Sequence, residues 1–333
     1  MNIIKKLKLY RIKTVLKYIP KSWKNSVMLS NLSGKNRVPS FFNLLYWYYF
    51  YGFDFIDYCS FRFWELSAAE RKTYISYRRN DVLRFRLSDP ESYDIFLNKA
   101  RFNEKFSQYI RRDWKLLSET DPLHDLELFM ARHPDVILKP VCDYGGHGVM
   151  KLSGTISDEE RRKIFKNNGV RYIVEECIEN NENLKRLAPR SLNTIRFVTL
   201  IDKTGKLNVL ISALRVGNGT SFMDNFQSDG LCCVIDPQTG KLRGNAHGMY
   251  CTEYASHPYS GIKFDGYEIE DFRKCFDLLK EITQVVPSAR YVGWDIAITP
   301  WGIEVIEGNI PPGEYVTQII SGRGLWYEIL EKI

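Results

Sequence analysis

Asp295, Glu307 and Asn309 stand as candidate oxygen ligands in GWDIAITPWGIEVIEGN (residues 293–309), within a largely apolar frame. All-oxygen donors suit a hard divalent cation, magnesium or manganese rather than zinc. β-Forming residues flank Pro300-Trp301-Gly302, which predicts a hairpin with a three-residue loop and Gly302 at its left-handed position. With Thr299 opposite Ile303, Asp295 falls opposite Glu307 and Gly293 opposite Asn309. Alternation then places the three oxygen donors on one face. Carboxylates about 5 Å apart across a strand pair repel. A cation between them removes the repulsion, and the missing side chain at Gly293 leaves room over Asn309. The alternative is an edge hairpin whose acids point to solvent.

Anion-binding chemistry is suggested elsewhere. In VILKPVCDYGGHGVMKL (136–152) a strand ends at Lys139-Pro140, and a loop with Gly145, Gly146 and Gly148 follows. Glycines let backbone N–H groups close over phosphate oxygens, and a lysine supplies a point charge. No helix follows, so this is not the G-x-x-x-x-G-K-[ST] loop; alternatively it is only a turn. RYIVEECIENNEN (171–183) runs an apolar strand into Glu175 and Glu176, with Glu182 further on. Asn193, Arg196 and Arg215 sit in strands of β-branched and aromatic residues, where long cations pair with acids or anions. His257 is a modest candidate for substrate contact.

These residues need strands to hold them. After residue 134 the segments DVILKPV, RYIVEECI, NTIRFVTLI, KLNVLISALRV and LCCVID all read as strands. One helix is expected over 271–286, buried through Phe272, Phe276, Leu279, Ile282 and Val286 and ended by Pro287. Residues 1–90 read as helical, as do 91–130, with Phe102, Phe106, Ile110 and Trp114 at helical spacing. This is an α+β arrangement, divided as 1–90, 91–178 and 179–333.

The formal charge of +7 is local: residues 1–53 hold ten Lys/Arg and no acid, which leaves the rest at −3. The main body therefore lacks the basic face that nucleic-acid binding needs. In residues 1–20, Ile4, Leu7, Ile12, Val15, Leu16 and Ile19 share a helix side among lysines. That pattern suits peripheral contact with an anionic membrane, or a surface helix packed on its own domain. The run FFNLLYWYYFYGF (41–53) is too short to cross a bilayer and is expected to be a buried or lobe-packing helix. Seven scattered cysteines without a C-x-x-C pair fit a reducing cytoplasm.

In order, a Lys-Pro strand, a glycine loop, a strand ending in acids, basic sheet residues and Asp…Glu-x-Asn resemble the ATP-grasp superfamily across residues 95–310. LNTIRFVTL, MDNFQSDG, HPYSG and GWDIAIT…EVIEGN look like its sugar-transfer-associated family, found in surface-polysaccharide gene clusters. The resemblance implies two α+β lobes clamping ATP. It implies that Lys99 and Lys139 contact phosphates, and that Gly145, Gly146 and Gly148 form a lid. Glu175, Glu176, Cys177 and Ile178 would form the hinge against adenine, and Glu182 the ribose acid. Asp295, Glu307 and Asn309 would bind magnesium, or manganese. Arg196 or Arg215 would stabilise the transferring phosphoryl group or acyl phosphate, making them, with Lys139, the catalytic candidates.

The implied reaction joins a small-molecule carboxylate to an amine through an acyl phosphate, with a sugar nucleotide or lipid-linked sugar as a candidate substrate in capsule or O-antigen synthesis. Two rivals stay open: a kinase of a sugar or amino acid, and a non-catalytic membrane scaffold for glycosyltransferases. Residues 1–90 depart from the superfamily, since they do not read as its α/β substrate-binding lobe.

Overall fold

The computed structural model describes residues 3–143, 147–165, 170–220, 224, 226 and 229–333, without the side chains of residues 3–15, Asp158, Lys163 and Phe165. Gly145 and Gly146 of the expected lid thus lie outside the described residues. The chain forms two compact units, one of Met1–Leu83, Met249–Thr252 and Gly313–Ile333, the other of Arg84–Gly248 and Glu253–Pro312.

The first unit begins with α1 (Ile3–Ser33) and α2 (Arg37–Tyr51), an antiparallel helical hairpin. Tyr18 stacks on Tyr48, Trp23 meets Phe41 edge-on, and Arg37 bonds back to Ser26 and the Trp23 carbonyl. Gly52 ends α2 in the left-handed conformation that glycine adopts most cheaply. Three short helices follow: α3 (Phe55–Ser60), α4 (Ala68–Arg71) and α5 (Tyr77–Leu87). The core here is aromatic, built on Trp47, Phe53, Tyr58, Phe61, Phe63 and Tyr74. The aromatic run lies on α2, which packs through one face only. Ser40, Leu44 and Trp47 point inward, while Phe42, Tyr46 and Phe50 are exposed.

The second unit holds two antiparallel sheets. Helices α6 (Pro90–Leu97) and α7 (Lys99–Lys105) lead into β1 (Trp114–Leu116), so Trp114 stands in a strand and not at the end of a helical stripe. After α8 (Pro122–Met130) come β2 (Asp135–Pro140), β3 (Met150–Ser153), α9 (Asp158–Phe165) and β4 (Tyr172–Glu176). The first sheet has the order β1-β4-β2-β3. Then follow α10 (Glu182–Leu187), β5 (Thr194–Ile201), β6 (Leu207–Val216), β7 (Leu231–Ile235), β8 (Leu242–His247) and β9 (Glu253–Tyr254). Next are α11 (Phe272–Val285), β10 (Tyr291–Thr299) and β11 (Gly302–Asn309). The second sheet has the order β11-β10-β5-β6-β7-β8-β9, with β11 at one edge. The chain closes with α12 (Glu314–Ser321) and α13 (Trp326–Lys332), which belong to the first unit. There the Gln318 amide pairs with both backbone groups of Ile75. Boundaries at 90 and 178 therefore do not follow the compact units, since both sheets share one unit and the C-terminal helices join the other.

Alternation decides which side chains of the second sheet reach the site. Ile195, Phe197, Leu214, Val292, Trp294 and Ile296 enter a core with Phe96, Phe102, Phe106 and α11 residues such as Leu279 and Ile282. Their neighbours Arg196, Arg215 and Asp295 therefore face the other way. At β11 the site touches this core through one glycine. A Cβ on Gly308 would lie 2.5 and 2.7 Å from Phe96 ring atoms and 2.9 Å from Phe102. The missing side chain lets the α6–α7 aromatics lie on the strand that carries Glu307 and Asn309, and so sets where Lys99 begins α7. Gly308→Ala should destabilise the protein by about 1–3 kcal/mol through overpacking. Urea unfolding measures this, and an unchanged midpoint would mean that the rings do not pack there.

Candidate active site

The β10–β11 hairpin reaches the expected pairing by a different route. Thr299 pairs with Gly302, so the loop is Pro300-Trp301 alone. A β-bulge at Ile306 on β11, opposite the step from Asp295 to Ile296 on β10, then shifts the register. Asp295 pairs with Glu307 and Gly293 with Asn309. The bulge restores what the shorter loop displaced. Gly293 does not leave open space, because a Cβ there would meet Pro312 Cβ at 3.2 Å.

Asp295 is not left facing Glu307 uncompensated. Its Oδ1 accepts from Arg196 Nε (2.6 Å), and its Oδ2 from Arg196 Nη2 (2.8 Å) and Arg215 Nη1 (2.8 Å). The strand register brings this about, since Arg196 pairs with Asp295 on β10 and Arg215 with Thr194 on β5. Asp295 is buried, which opposes its ionisation. The two guanidiniums outweigh that and hold it well below the usual carboxylate range. Arg215 Nη2 also donates to Asp224 (3.2 Å), whose other oxygen accepts from the Thr194 hydroxyl. Burial raises the Asp224 carboxyl despite Arg215.

Glu307 and Asn309 stand toward the opening. They line a small pocket together with Lys99, Lys139, Asp143 and Glu175. Asn309 Nδ2 lies 3.2 Å from Glu307 Oε1 and 3.5 Å from Asp295 Oδ2. Lys99 donates to the Asp143 carbonyl at 2.7 Å, and its backbone N–H donates to Val141, which ties α7 to the end of β2. Burial lowers the Lys99 ammonium, the nearby Glu307 raises it, and Lys139 lowers it further.

A larger cleft adjoins at Lys139, Glu175 and Ile306. Ile137, Lys139, Lys151 and the run Glu175–Asn180 line it, opposite Pro189–Leu192. Glu175 turns its side chain inward. It accepts from Asn103 (3.0 Å), Arg112 (3.2 Å) and Lys139 (2.5 Å). Burial opposes its charge, yet Arg112 and Lys139 hold the carboxyl far below the ordinary glutamate value. The N–H groups of Glu176 and Cys177 donate to Asp113 and Asp135, so both are already used within the fold.

Several expected residues stand apart from the cleft. Glu182 is exposed at the start of α10, and Glu179 lines the cleft instead, bridged to Lys185 at 2.6 Å. Gly148 has a positive φ of 70°, and a Cβ there would meet Pro140 at 2.8 Å. His257 is buried with Nε2 on the Gly217 carbonyl at 2.8 Å, so it braces a loop. Arg112 had no signal in sequence: it follows the exposed Arg111, and all its partners are distant. Glu304, a second acid in the same strand as Glu307, and Asp224, within MDNFQSDG, were visible but unassigned.

Arg112 is fully buried. It donates to Glu304 (2.6 Å) and to the carbonyls of Val305 and Ile306 (both 3.0 Å), while also holding Glu175. Arg112→Gln should cost about 3–5 kcal/mol at neutral pH, because two buried acids lose their partner. Glu175 and Asp295 are depressed acids, so their stabilisation is present above the ordinary carboxylate range of about 4 and is lost as pH falls below it. Urea midpoints at falling pH should show the gap between variant and wild type narrowing. A gap independent of pH would remove Glu175 from the network.

A model of the sugar-transfer associated ATP-grasp family matches residues 78–333. Among solved structures, N5-carboxyaminoimidazole ribonucleotide synthetase in its ADP complex is similar at 13% identity, over 72% of this chain and 52% of that one, with a TM-score of 0.45. D-Alanine-D-alanine ligase from Helicobacter pylori is similar at 12% identity, over 76% and 66%, with a TM-score of 0.47. VanG D-Ala:D-Ser ligase from Enterococcus faecalis is similar at 15% identity, over 74% and 62%, with a TM-score of 0.47. The chain thus spans about half to two thirds of the length of these structures. No curated protein matches the sequence.

Proposed function

Since the chain belongs to the sugar-transfer associated ATP-grasp family, we propose that it is an ATP-dependent carboxylate–amine ligase. One observation carries this reading: two pockets join at Lys139 and Glu175, and the smaller sets Lys99 and Lys139 against Glu307 and Asn309. The larger cleft takes the base and ribose along Glu175–Asn180. The phosphates extend to the two lysines. Glu179 takes the ribose role first given to Glu182.

The donor set fits a hard divalent cation such as magnesium. Glu307 and Asn309 offer oxygens at the pocket, and Asp295 keeps one lone-pair direction on Oδ1 beyond its arginine bonds. When bound, the cation neutralises phosphate charge. The protein's own groups do the rest. Lys99 and Lys139 bind phosphate oxygens and orient the γ-phosphate in line with the carboxylate. Arg196 and Arg215, fixed by Asp295, hold positive charge behind the transferring group. A carboxylate oxygen attacks the γ-phosphorus and ADP leaves. An amine nitrogen then attacks the acyl carbon, and phosphate leaves with loss of the amine proton.

The substrates are a carboxylate of a sugar, such as a uronic acid, and an amine such as an amino acid. The product serves a cell-surface polysaccharide or its precursor, and the reaction runs on the cytoplasmic side. What supports that setting is the family's description as sugar-transfer associated.

Release of ADP, screened over pairs of carboxylates and amines with mass spectrometry of products, tests the reaction. An amide formed only when both partners are present is expected. A stable phosphorylated product from one substrate would make the protein a kinase instead. Glu307→Gln should keep the melting temperature of the free protein, because Asp295 is already balanced by arginines. It should cut turnover about a hundredfold or more, roughly 2.7 kcal/mol. Normal turnover in this variant would exclude Glu307 from the site.

A further inference from the structure

The first unit carries an apolar surface that the nucleotide reading does not use. On α2, Val38, Phe42, Tyr46 and Phe50 recur every four residues, opposite the buried Ser40, Leu44 and Trp47. Phe42 is 61% exposed and Phe50 62%. Beyond Arg37 at its first position, α2 contains no charged residue. The patch continues onto α1, where Leu16, Trp23 and Val27 are exposed on one side. Ring contacts join the pieces. Trp23 lies 5.2 Å from Phe41, Phe41 lies 5.2 Å from Phe42, and Phe50 lies 4.9 Å from both Tyr46 and Tyr49. So large an exposed apolar face marks an interaction surface.

Charge selects the occupant. Lys17, Lys21 and Lys24 are exposed along α1, on the strip beside Leu16, Trp23 and Val27. Residues 1–53 hold ten basic residues and no acid. A second copy would bring the same positive charge against it, whereas an anionic lipid surface offsets that charge. Tyrosine and tryptophan sit well at the boundary of headgroup and acyl chain, and lysine stems extend toward phosphates. The α2 helix has 15 residues, about 22 Å, short of the ~20 apolar residues needed to cross. Among the described residues no helix is long and apolar enough to span a membrane.

We infer that the α1–α2 hairpin lies in the plane of an anionic membrane, with Phe42, Tyr46 and Phe50 inserted and Lys17, Lys21 and Lys24 on the headgroups. This moves the contact from residues 1–20 to the aromatic face of α2. It does not depend on the nucleotide reading.

Co-sedimentation of the full chain with vesicles tests it, using phosphatidylcholine alone and with roughly 30% phosphatidylglycerol. Wild type should bind the anionic vesicles about tenfold or more tightly than the neutral ones. F42S/Y46S/F50S should lose most binding at every salt concentration, and K17Q/K21Q/K24Q should lose the anionic preference. Urea midpoints equal to wild type show that the exposed substitutions leave the fold intact. The inference fails if wild type does not sediment with anionic vesicles, or if the aromatic variant sediments as well as wild type. A wild-type dimer that the aromatic variant turns into a monomer would assign the face to a second copy instead.

Discussion

One buried arginine, Arg112, joins the two sheets of the second unit. Arg112 grips Glu175 from β4 with one side of its guanidinium and Glu304 from β11 with the other. It also takes the Val305 and Ile306 carbonyls, left free because β11 is an edge strand and bulges beside Ile306. An edge with open carbonyls is usually a liability. Here the bulge that frees them also fixes the register of Glu307, so one irregularity sets the strand that carries Glu307 and its attachment to the other sheet. The open cleft runs along this junction, with Ile306 lining both of its parts.

The same economy governs charge. Burying Asp295 and Glu175 would cost more than folding could supply unless each were met by cations with several hydrogen bonds. Each is met by two: Arg196 and Arg215 on one, Arg112 and Lys139 on the other. These cationic groups are therefore held in place by the fold itself. Lys99 and Glu307 are less enclosed and line the smaller pocket.

The hairpin acid and amide are more legible in the sequence than the groups that support them. Glu307 and Asn309 were readable because hairpin residues are near in sequence and strand alternation is strict. Their register came out right only because the shorter loop and the bulge cancel. Arg112 was not readable, since its partners stand 63 to 194 residues away and nothing local separates it from Arg111. Glu182 is exposed because α10 starts at once and turns it outward, while Glu179 lines the cleft. Aromatic density suggested burial for 41–53, but composition alone does not show that only the Ser40–Leu44–Trp47 stripe faces inward.

In the proposed reaction a prearranged cationic cleft receives an adenine nucleotide whose phosphates complete a divalent-cation site at Glu307 and Asn309. Calorimetric titration of ADP into the full chain, with magnesium and then with chelator, tests it most directly. The account predicts a single site whose affinity rises at least about tenfold with magnesium, some 1.4 kcal/mol. Binding of equal strength with and without the cation, or no binding under either condition, would contradict it.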